Sequence, residues 1–331
     1  MQVPTVFVGD ADVAALADWP AAVAALREAY SRPLTPAMVP PRSMARGDGF
    51  WLRGLSAVSP SGEHMGCKLI AASPKIHRAS YLIALFDQRS MDLAALIDGN
   101  QITGIRTAAT SALAVDLLAP QRPLAVAVIG SGFEARGLLQ ALRATRALAS
   151  VRVFSPTPAS RARFADWARG LDPALDAAAA DSAQAALQGA DVVLCAARSR
   201  DEAPTIRGEW LAPGATVVSI GSTLPEQREL DEATLARAAC VVSDMPEEVL
   251  HDTGDGLAAQ AAGIDLAAKT VSLAELASGS APGRQSPEQV LVYKSVGSAL
   301  QDVVIAEMLL RRARAAGRCT VLPSTILTID K

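Results

Sequence analysis

The sequence predicts the α/β class: a doubly wound parallel sheet, with a second α+β domain built from the rest of the chain. Residues 125–140 read AVAVIGSGFEARGLLQ, an apolar run that stops at a glycine turn and opens into a helix-compatible stretch. After it, short apolar runs alternate with helical spans, the pattern of parallel strands joined by crossover helices. Before it, strand-like pieces follow one another across turn residues, as in an antiparallel sheet.

Val126, Val128 and Ile129 form the kind of continuous apolar run a buried parallel strand needs. Gly130 and Gly132 with Ala135 then give G-x-G-x-x-A, a variant of the dinucleotide-binding fingerprint. The turn must be tight, the backbone must approach a pyrophosphate, and a small residue must let helix and strand pack. The helix start then offers free N–H groups and a partial positive charge to the phosphates. A bare motif of this type also fits a structural glycine turn. Its position between a strand-like and a helix-like run favours a nucleotide, and makes Gly130, Ser131, Gly132, Phe133, Glu134 and Ala135 candidate cofactor contacts in a Rossmann-type domain.

At 331 residues the chain is long enough for two domains with cores of their own. Half the residues are hydrophobic, a fifth are charged, and the net charge is −3, so no general basic field favours nucleic acid or an anionic membrane. There is no apolar run of bilayer length and no signal-peptide pattern at the start. The cysteines at 67, 195, 240 and 319 are scattered without C-x-x-C spacing, which suits a reducing cytoplasm. His64, His77 and His251 are isolated in sequence and form no ligand pair at helical spacing, so no metal is expected.

In chain order, Val13, Leu16, Ala17, Val23, Leu26 and Tyr30 mark a helical span over 11–31, with Pro20 as a break or restart. The proline-rich PLTPAMVPPRSMARGD is expected to run extended. Strands are expected near 50–55, 67–71 and 81–87, with turns at 60–62 and 98–100. Thr103 is read as the cap of a helix that carries Arg106 in its first turn and many small residues after it, up to Pro120. An arginine at a helix start beside small residues suits a carboxylate or phosphate. Taken alone, the stretch equally fits a solvated arginine on a packed alanine helix.

Beyond the glycine turn, strands are expected at 151–154, 191–195, 216–220 and 240–244. Helices are expected near 160–169, 181–188 and 231–238. The alanine-heavy 174–190 reads as helix plus loop, and 277–289 as a looser stretch. A strand at 290–293, a helix to about 316, and a final strand within 320–329 returning to the first domain complete the expectation. The predicted domains are 1–119 with 298–331, and 120–297.

An NAD site usually places a carboxylate at the end of the second strand, on the ribose hydroxyls. Here VRVF is followed by Ser155-Pro156-Thr157, and no acidic residue occurs between Glu134 and Asp166. A 2′-phosphate then meets no local repulsion, and Ser155, Thr157 and Arg161 are candidates to bind it. NADP(H) is favoured, with NAD(H) left open.

Several strings together resemble the ornithine cyclodeaminase/mu-crystallin family. They are VPPRSM at Arg42, GCKL at Lys68, IDGNQITGIRTAATSALA at Arg106, IGSGFEA, ADVVLCA, GEWLAPGATVVSIGS, RELD and YKSVGSALQDVVIAE. They stand in the family's order over nearly the whole chain, and R-T-A-A-x-S-A and K-S-x-G-x-A-x-x-D are far more specific than the glycine turn. The resemblance implies a Rossmann domain plus a substrate-binding and dimerisation domain made from both chain ends, hence a homodimer. It implies that Arg42, Lys68 and Arg106 converge on the carboxylate of a small amino or imino acid, with Lys68 and Arg106 also catalytic. It places Thr107, Gly221, Ser222, Lys294 and Ser295 on the cofactor.

Cyclodeaminases of the family look like G-x-D-x-P-G-K where this chain has Gly221-Ser222-Thr223-Leu224-Pro225-Glu226-Gln227. Thr223 thus fills the catalytic loop position with a neutral hydroxyl, a poor base near neutral pH. Glu226 replaces the missing carboxylate only if its loop turns inward. The family's Pro-x-Asn is also absent between Lys68 and Asp87. The resemblance therefore implies an NAD(P)H-dependent reductase of a small imino acid, of pyrroline- or piperideine-carboxylate type. Ornithine cyclodeamination with NAD+, or non-catalytic NADP(H) binding, are the alternatives.

Overall fold

The computed structural model describes residues 4–197 and 203–330. The chain forms two compact units, Met1–Arg106 with Ser298–Lys331, and Thr107–Gly297.

The first unit contains β1 (Val6–Val8), α1 (Asp10–Leu16), α2 (Trp19–Ser31), β2 (Ser43–Gly47), β3 (Phe50–Val58), β4 (His64–Ser73), β5 (Arg78–Asp87) and β6 (Leu93–Asp98). The C-terminal helix Ala299–Ala315 and a short strand, Thr320–Val321, complete it. Pro20 restarts the first helical span as expected: Asp18 caps α2 by accepting from the Ala21 N–H at 3.0 Å. The sheet runs Thr320–Val321, β1, β6, β5, β4, β3, β2, and pairing from β2 through β6 is antiparallel.

One face of this sheet is covered by the C-terminal helix, which is buried along nearly its whole length. The helix approaches β4 so closely that a Cβ at Gly66 would lie 3.3 Å from a Val303 methyl and 2.4 Å from the Ala84 carbonyl oxygen. The opposite face leaves Phe50, Leu52, Leu69 and Leu82 exposed. The expected final strand shrinks to Thr320–Val321, because the following Leu322-Pro323 carries an imino residue that cannot extend a ladder.

The helix α3 (Asn100–Leu118) begins before Thr103. Thr103 is therefore not the cap: it sits in the first turn, and its hydroxyl donates to the Gly99 carbonyl at 2.9 Å. The Asp98 carboxylate accepts the Asn100 N–H at 2.9 Å instead. Arg106 lies in the second turn, so its charge adds little to the free N–H groups of the helix start. The predicted boundary at 119/120 also moves to 106/107. The later turns of α3 pack inside the second unit, where the Leu118 carbonyl accepts from Arg284 Nε at 3.0 Å and Asp116 pairs with Arg146 at 3.4 Å.

The second unit holds β7 (Leu124–Ile129), α4 (Phe133–Thr145), β8 (Leu148–Phe154), α5 (Pro158–Leu171), β9 (Asp176–Ala179), α6 (Ala183–Leu187), β10 (Val192–Cys195) and β11 (Thr216–Ser219). It continues with α7 (Glu232–Arg237), β12 (Ala238–Ser243), α8 (Pro246–His251), α9 (Gly254–Ala261), β13 (Thr270–Ser272), α10 (Leu273–Ser278) and β14 (Val290–Lys294). All pairings are parallel, in the order β13, β12, β14, β11, β10, β7, β8, β9. β10, β11 and β14 are buried throughout, as a sheet covered on both faces requires. β9 lies in the stretch read as helix plus loop, since Asp-Ala-Ala-Ala carries no strand propensity of its own and gains its order from pairing with β8.

The chain winds outward from β7 through β8 to β9, then returns to the other side of β7 for β10. This reversal is the switch point at which open α/β sheets bind ligands, beyond the carboxyl ends of the strands. Gly130 follows β7 there, and Ala196 follows β10.

Candidate active site

In the first unit, Lys68 projects from β4 with 1% of its surface exposed. Its Nζ donates to Asp302 Oδ1 at 2.8 Å. Arg106 Nε lies 3.4 Å from the same oxygen, and Arg106 Nη1 donates to Gln301 Oε1 at 3.1 Å. Gln301 is itself held, donating to the Tyr30 hydroxyl at 3.1 Å. The first turn of the C-terminal helix thus positions both predicted catalytic cations. Asp302 Oδ2 is buried and has no hydrogen-bond partner among the described residues.

Burial disfavours the Lys68 ammonium most, and the charges of Arg106 and Arg42 add to that; Asp302 opposes them, leaving a pKa of about 8. That influence also places Arg42, half-buried just before β2, in the same electrostatic cluster. The structure therefore gathers Lys68 and Arg106 on one carboxylate, with Arg42 near enough to act on Lys68. Asp302 was legible as the last letter of K-S-x-G-x-A-x-x-D, but no spacing argument tied it to Lys68, 234 residues away.

In the second unit, the turn after β7 fits a dinucleotide. Gly130 has φ +110°, and a Cβ there would lie 2.6 Å from the Ala196 carbonyl oxygen, so only glycine suits the position. A Cβ at Gly132 would meet nothing within 4 Å, which leaves the approach to α4 open. Gly132 caps α4 without any side-chain hydrogen bond, so the first N–H groups are available to an anion. Ala135 is fully buried, as close helix–strand packing requires, and Phe133 is exposed. Replacing Gly130 by alanine is expected to weaken dinucleotide binding by about 100-fold, measured by nicotinamide fluorescence titration, because backbone strain and a backbone clash coincide.

Ser131 and Ser155 hydroxyls are 3.0 Å apart, and Thr157 caps α5 at the end of β8. The Arg161 guanidinium carbon lies 5.5 Å from the Phe154 ring centre, and the side chain pairs with Asp181 at 3.4 Å. The linear reading of a neighbourhood free of acidic groups therefore needs correction: Asp181 follows β9, the sheet neighbour of β8, and reaches Arg161 through space.

The loop after β11 contains Gly221, Ser222 and Thr223. Ser222 Oγ donates to the Gln227 carbonyl at 2.5 Å, and Thr223 donates its hydroxyl to Gln227 Oε1 at 3.2 Å. Glu226 is exposed and does not turn inward. Beneath the loop lies a carboxylate that sequence reasoning missed. Glu229 is fully buried and accepts from Ser219 Oγ at 2.7 Å, Gly221 N at 2.8 Å and Ala197 N at 3.1 Å. Burial pushes its pKa up.

Lys294 and Ser295 are turned inward. Lys294 Nζ donates to Ser219 Oγ at 3.0 Å and the Ser222 carbonyl at 2.9 Å, and pairs with Asp255 at 3.1 Å. Ser295 donates to Asp244 at 2.6 Å. Their side chains support the loops, where the resemblance had them touch cofactor. Thr107 is buried in α3.

His64 is not isolated in space: ligand atoms of Glu63, His64 and Glu307 lie within 4.8 Å of one another. Glu307 accepts from Ser59 at 2.9 Å, Ser61 at 2.8 Å and the His64 N–H at 3.1 Å, so its oxygens fasten the β3–β4 turn to the C-terminal helix.

Proteins of known name resemble this chain over most of its length. The chain is 34% identical to ketimine reductase mu-crystallin of Mus musculus over 232 residues, 70% of this chain and 68% of that protein. It is 29% identical to Delta(1)-pyrroline-2-carboxylate reductase of Paracoccus denitrificans over 311 residues, 92% of this chain and 96% of that one. The structure of Thermococcus litoralis Delta(1)-pyrroline-2-carboxylate reductase in complex with NADH and L-proline matches with a TM-score of 0.87 at 24% identity, over 96% of this chain and 100% of that one; this likeness shows the fold. Residues 30–317 match the family description "Ornithine cyclodeaminase/mu-crystallin family". The chain belongs to the ornithine cyclodeaminase/mu-crystallin family.

Proposed function

We propose that the protein is an NAD(P)H-dependent reductase of a small α-imino acid, with NADP(H) the favoured nucleotide. The observation that carries this reading is the buried Lys68–Asp302–Arg106 cluster, with Arg42 acting on it. Three cationic side chains in one cluster suit an organic anion, and charge-assisted hydrogen bonds fix that anion's orientation. The names of the mouse and Paracoccus relatives, both imine reductases, support the same chemistry.

When bound, the reduced nicotinamide supplies a hydride to the imine carbon. Arg42, Lys68 and Arg106 hold the substrate carboxylate, and Asp302 keeps Lys68 protonated against the cost of burial. Asp302 Oδ2, without a hydrogen-bond partner among the described residues, offers an acceptor to an iminium N–H, which three cations alone would repel. An imine protonates readily, so Lys68 or water suffices as the acid. In the second unit, Gly130, Gly132 and the start of α4 hold the pyrophosphate, while Thr107 and the 221–224 loop contact the nicotinamide end. Ser155, Thr157 and Arg161 bind the 2′-phosphate.

Thr223 disfavours cyclodeamination, since a hydroxyl donating to Gln227 has no proton-accepting role at neutral pH. The direct test is NADPH oxidation with Δ1-pyrroline-2-carboxylate. Ammonia and proline formed from ornithine with no net nucleotide change would show a cyclodeaminase instead. Tight nucleotide binding with no turnover over a panel of amino and imino acids would show a binding protein. Arg161→Ala is expected to weaken NADPH binding by about 10-fold and leave NADH binding nearly unchanged; tighter wild-type binding of NADH than NADPH would overturn the cofactor preference. With Lys68 near pH 8 in the free enzyme, kcat/KM is expected to fall as pH rises through about 8, because the ammonium form binds the acid.

The exposed Phe50, Leu52, Leu69 and Leu82 lie on one sheet face and suit a homodimer contact, which light scattering in solution tests. No helix of the described residues is long and apolar enough to cross a membrane. A cytoplasmic location, with small-molecule partners and no nucleic acid or membrane partner, accords with this reading.

A further inference from the structure

We propose that Arg53 is a further cation on the acid-binding face of the first unit, and that it selects imino acids carrying a second carboxylate on the side chain. This rests on the imine-reductase reading and names its substrate class. Arg53 belongs to β3, where it pairs with Ile70 while Leu55 pairs with Lys68. Residues opposite each other in an antiparallel pair share a face, as does every second residue along a strand. Arg53 and Lys68 are therefore diagonal neighbours on one face, a relation that sets Cβ atoms roughly 7 Å apart. On its other side Arg53 pairs with Met44, so the strand that follows Arg42 runs alongside it too.

The guanidinium carbon of Arg53 stands 5.1 Å from the ring centre of Trp51, two residues back on the same strand and face. A cation–π contact at this distance restrains the guanidinium, and a restrained fork loses less freedom when it takes a carboxylate. The side chain is half-buried, so its charge is screened less than that of a surface arginine. From that offset, a long stem reaches a group one or two methylenes beyond the carbon that bears the α-carboxylate.

The test uses the full chain and imines formed in place from ammonium and 2-oxo acids of matched length, 2-oxoglutarate and 2-oxopentanoate. Condensation releases water; NADPH then gives a hydride to the imine carbon, the nitrogen takes a proton, and the products are the amino acid and NADP+. The wild type is expected to favour the dicarboxylic imine by at least about 10-fold in kcat/KM. Arg53→Met is expected to lose about 30-fold on that imine, through KM rather than kcat, and less than about 3-fold on the monocarboxylic one. Arg53→Lys should recover part of the loss. A wild type that prefers the monocarboxylic imine, or an Arg53→Met variant that weakens both alike, overturns the inference. If the wild type reduces neither imine, the reductase reading is decided by Δ1-pyrroline-2-carboxylate, and calorimetry decides the role of Arg53. L-Glutamate should then bind at least about 10-fold more tightly than L-norvaline in the wild type but not in Arg53→Met; equal wild-type affinities overturn it.

Discussion

Replacing Lys68 by methionine is expected to lower kcat/KM for an imino acid by about 1000-fold while raising the melting temperature at neutral pH. The two effects have one cause. Lys68 is almost fully buried, and burial with two neighbouring arginines brings its pKa from 10.5 to about 8 in spite of Asp302. The unfolded chain holds this proton up to about pH 10.5, whereas the folded chain releases it near 8. Below pH 8 the buried ammonium therefore works against folding, by roughly 3 kcal/mol as an order of magnitude. Between 8 and 10.5 the unfolded state binds more protons, so this penalty shrinks as pH rises. Methionine removes it, and Asp302 keeps Arg106 at 3.4 Å. Thermal denaturation should show the variant more stable at pH 7, with the difference closing toward pH 10. A variant that is less stable at both pH values would mean that the ammonium is a structural prop and not an acid-binding group held at a cost.

Asp302→Asn is expected to reduce kcat/KM by about 100-fold at pH 7, with nucleotide affinity nearly unchanged. The carboxylate favours the Lys68 ammonium, which it bonds at 2.8 Å, against burial and two arginines. Without it, burial and the two arginines act unopposed, and Lys68 loses its proton below its present pKa. The alkaline limb of the kcat/KM profile should therefore move to lower pH, a readout that general loosening of the helix would not produce. Unchanged activity together with an unmoved limb would remove Asp302 from the account.

What the sequence disclosed follows the physics of each signal. The parallel sheet was legible because strands buried on both faces are continuous apolar runs, as in Val192–Cys195 and Val290–Lys294. The glycine turn was legible because a φ of +110° against a neighbouring carbonyl admits no other residue. Arg42, Lys68 and Arg106 were singled out by family motifs, and the structure brings them into one electrostatic cluster. Less local facts stayed hidden. The start of α3 was misplaced because Asp98-Gly99-Asn100 reads as a turn, and that turn is also how the helix begins. Lys294 carries a motif lysine's identity, yet its hydrogen bonds to Ser219 and Ser222 depend on strand neighbours far apart in sequence. Glu229 and Asp302 were visible inside quoted strings, but a carboxylate's burial and partners are properties of packing. Asp181 reaches Arg161 only because β9 lies beside β8.

The most direct measurement compares NADPH oxidation with Δ1-pyrroline-2-carboxylate and with 1-pyrroline, the same ring without its acid group. Cationic side chains that seize the acid predict turnover of the first and a kcat/KM lower by at least about 1000-fold for the second. Comparable rates for both, or no oxidation with either, would contradict it.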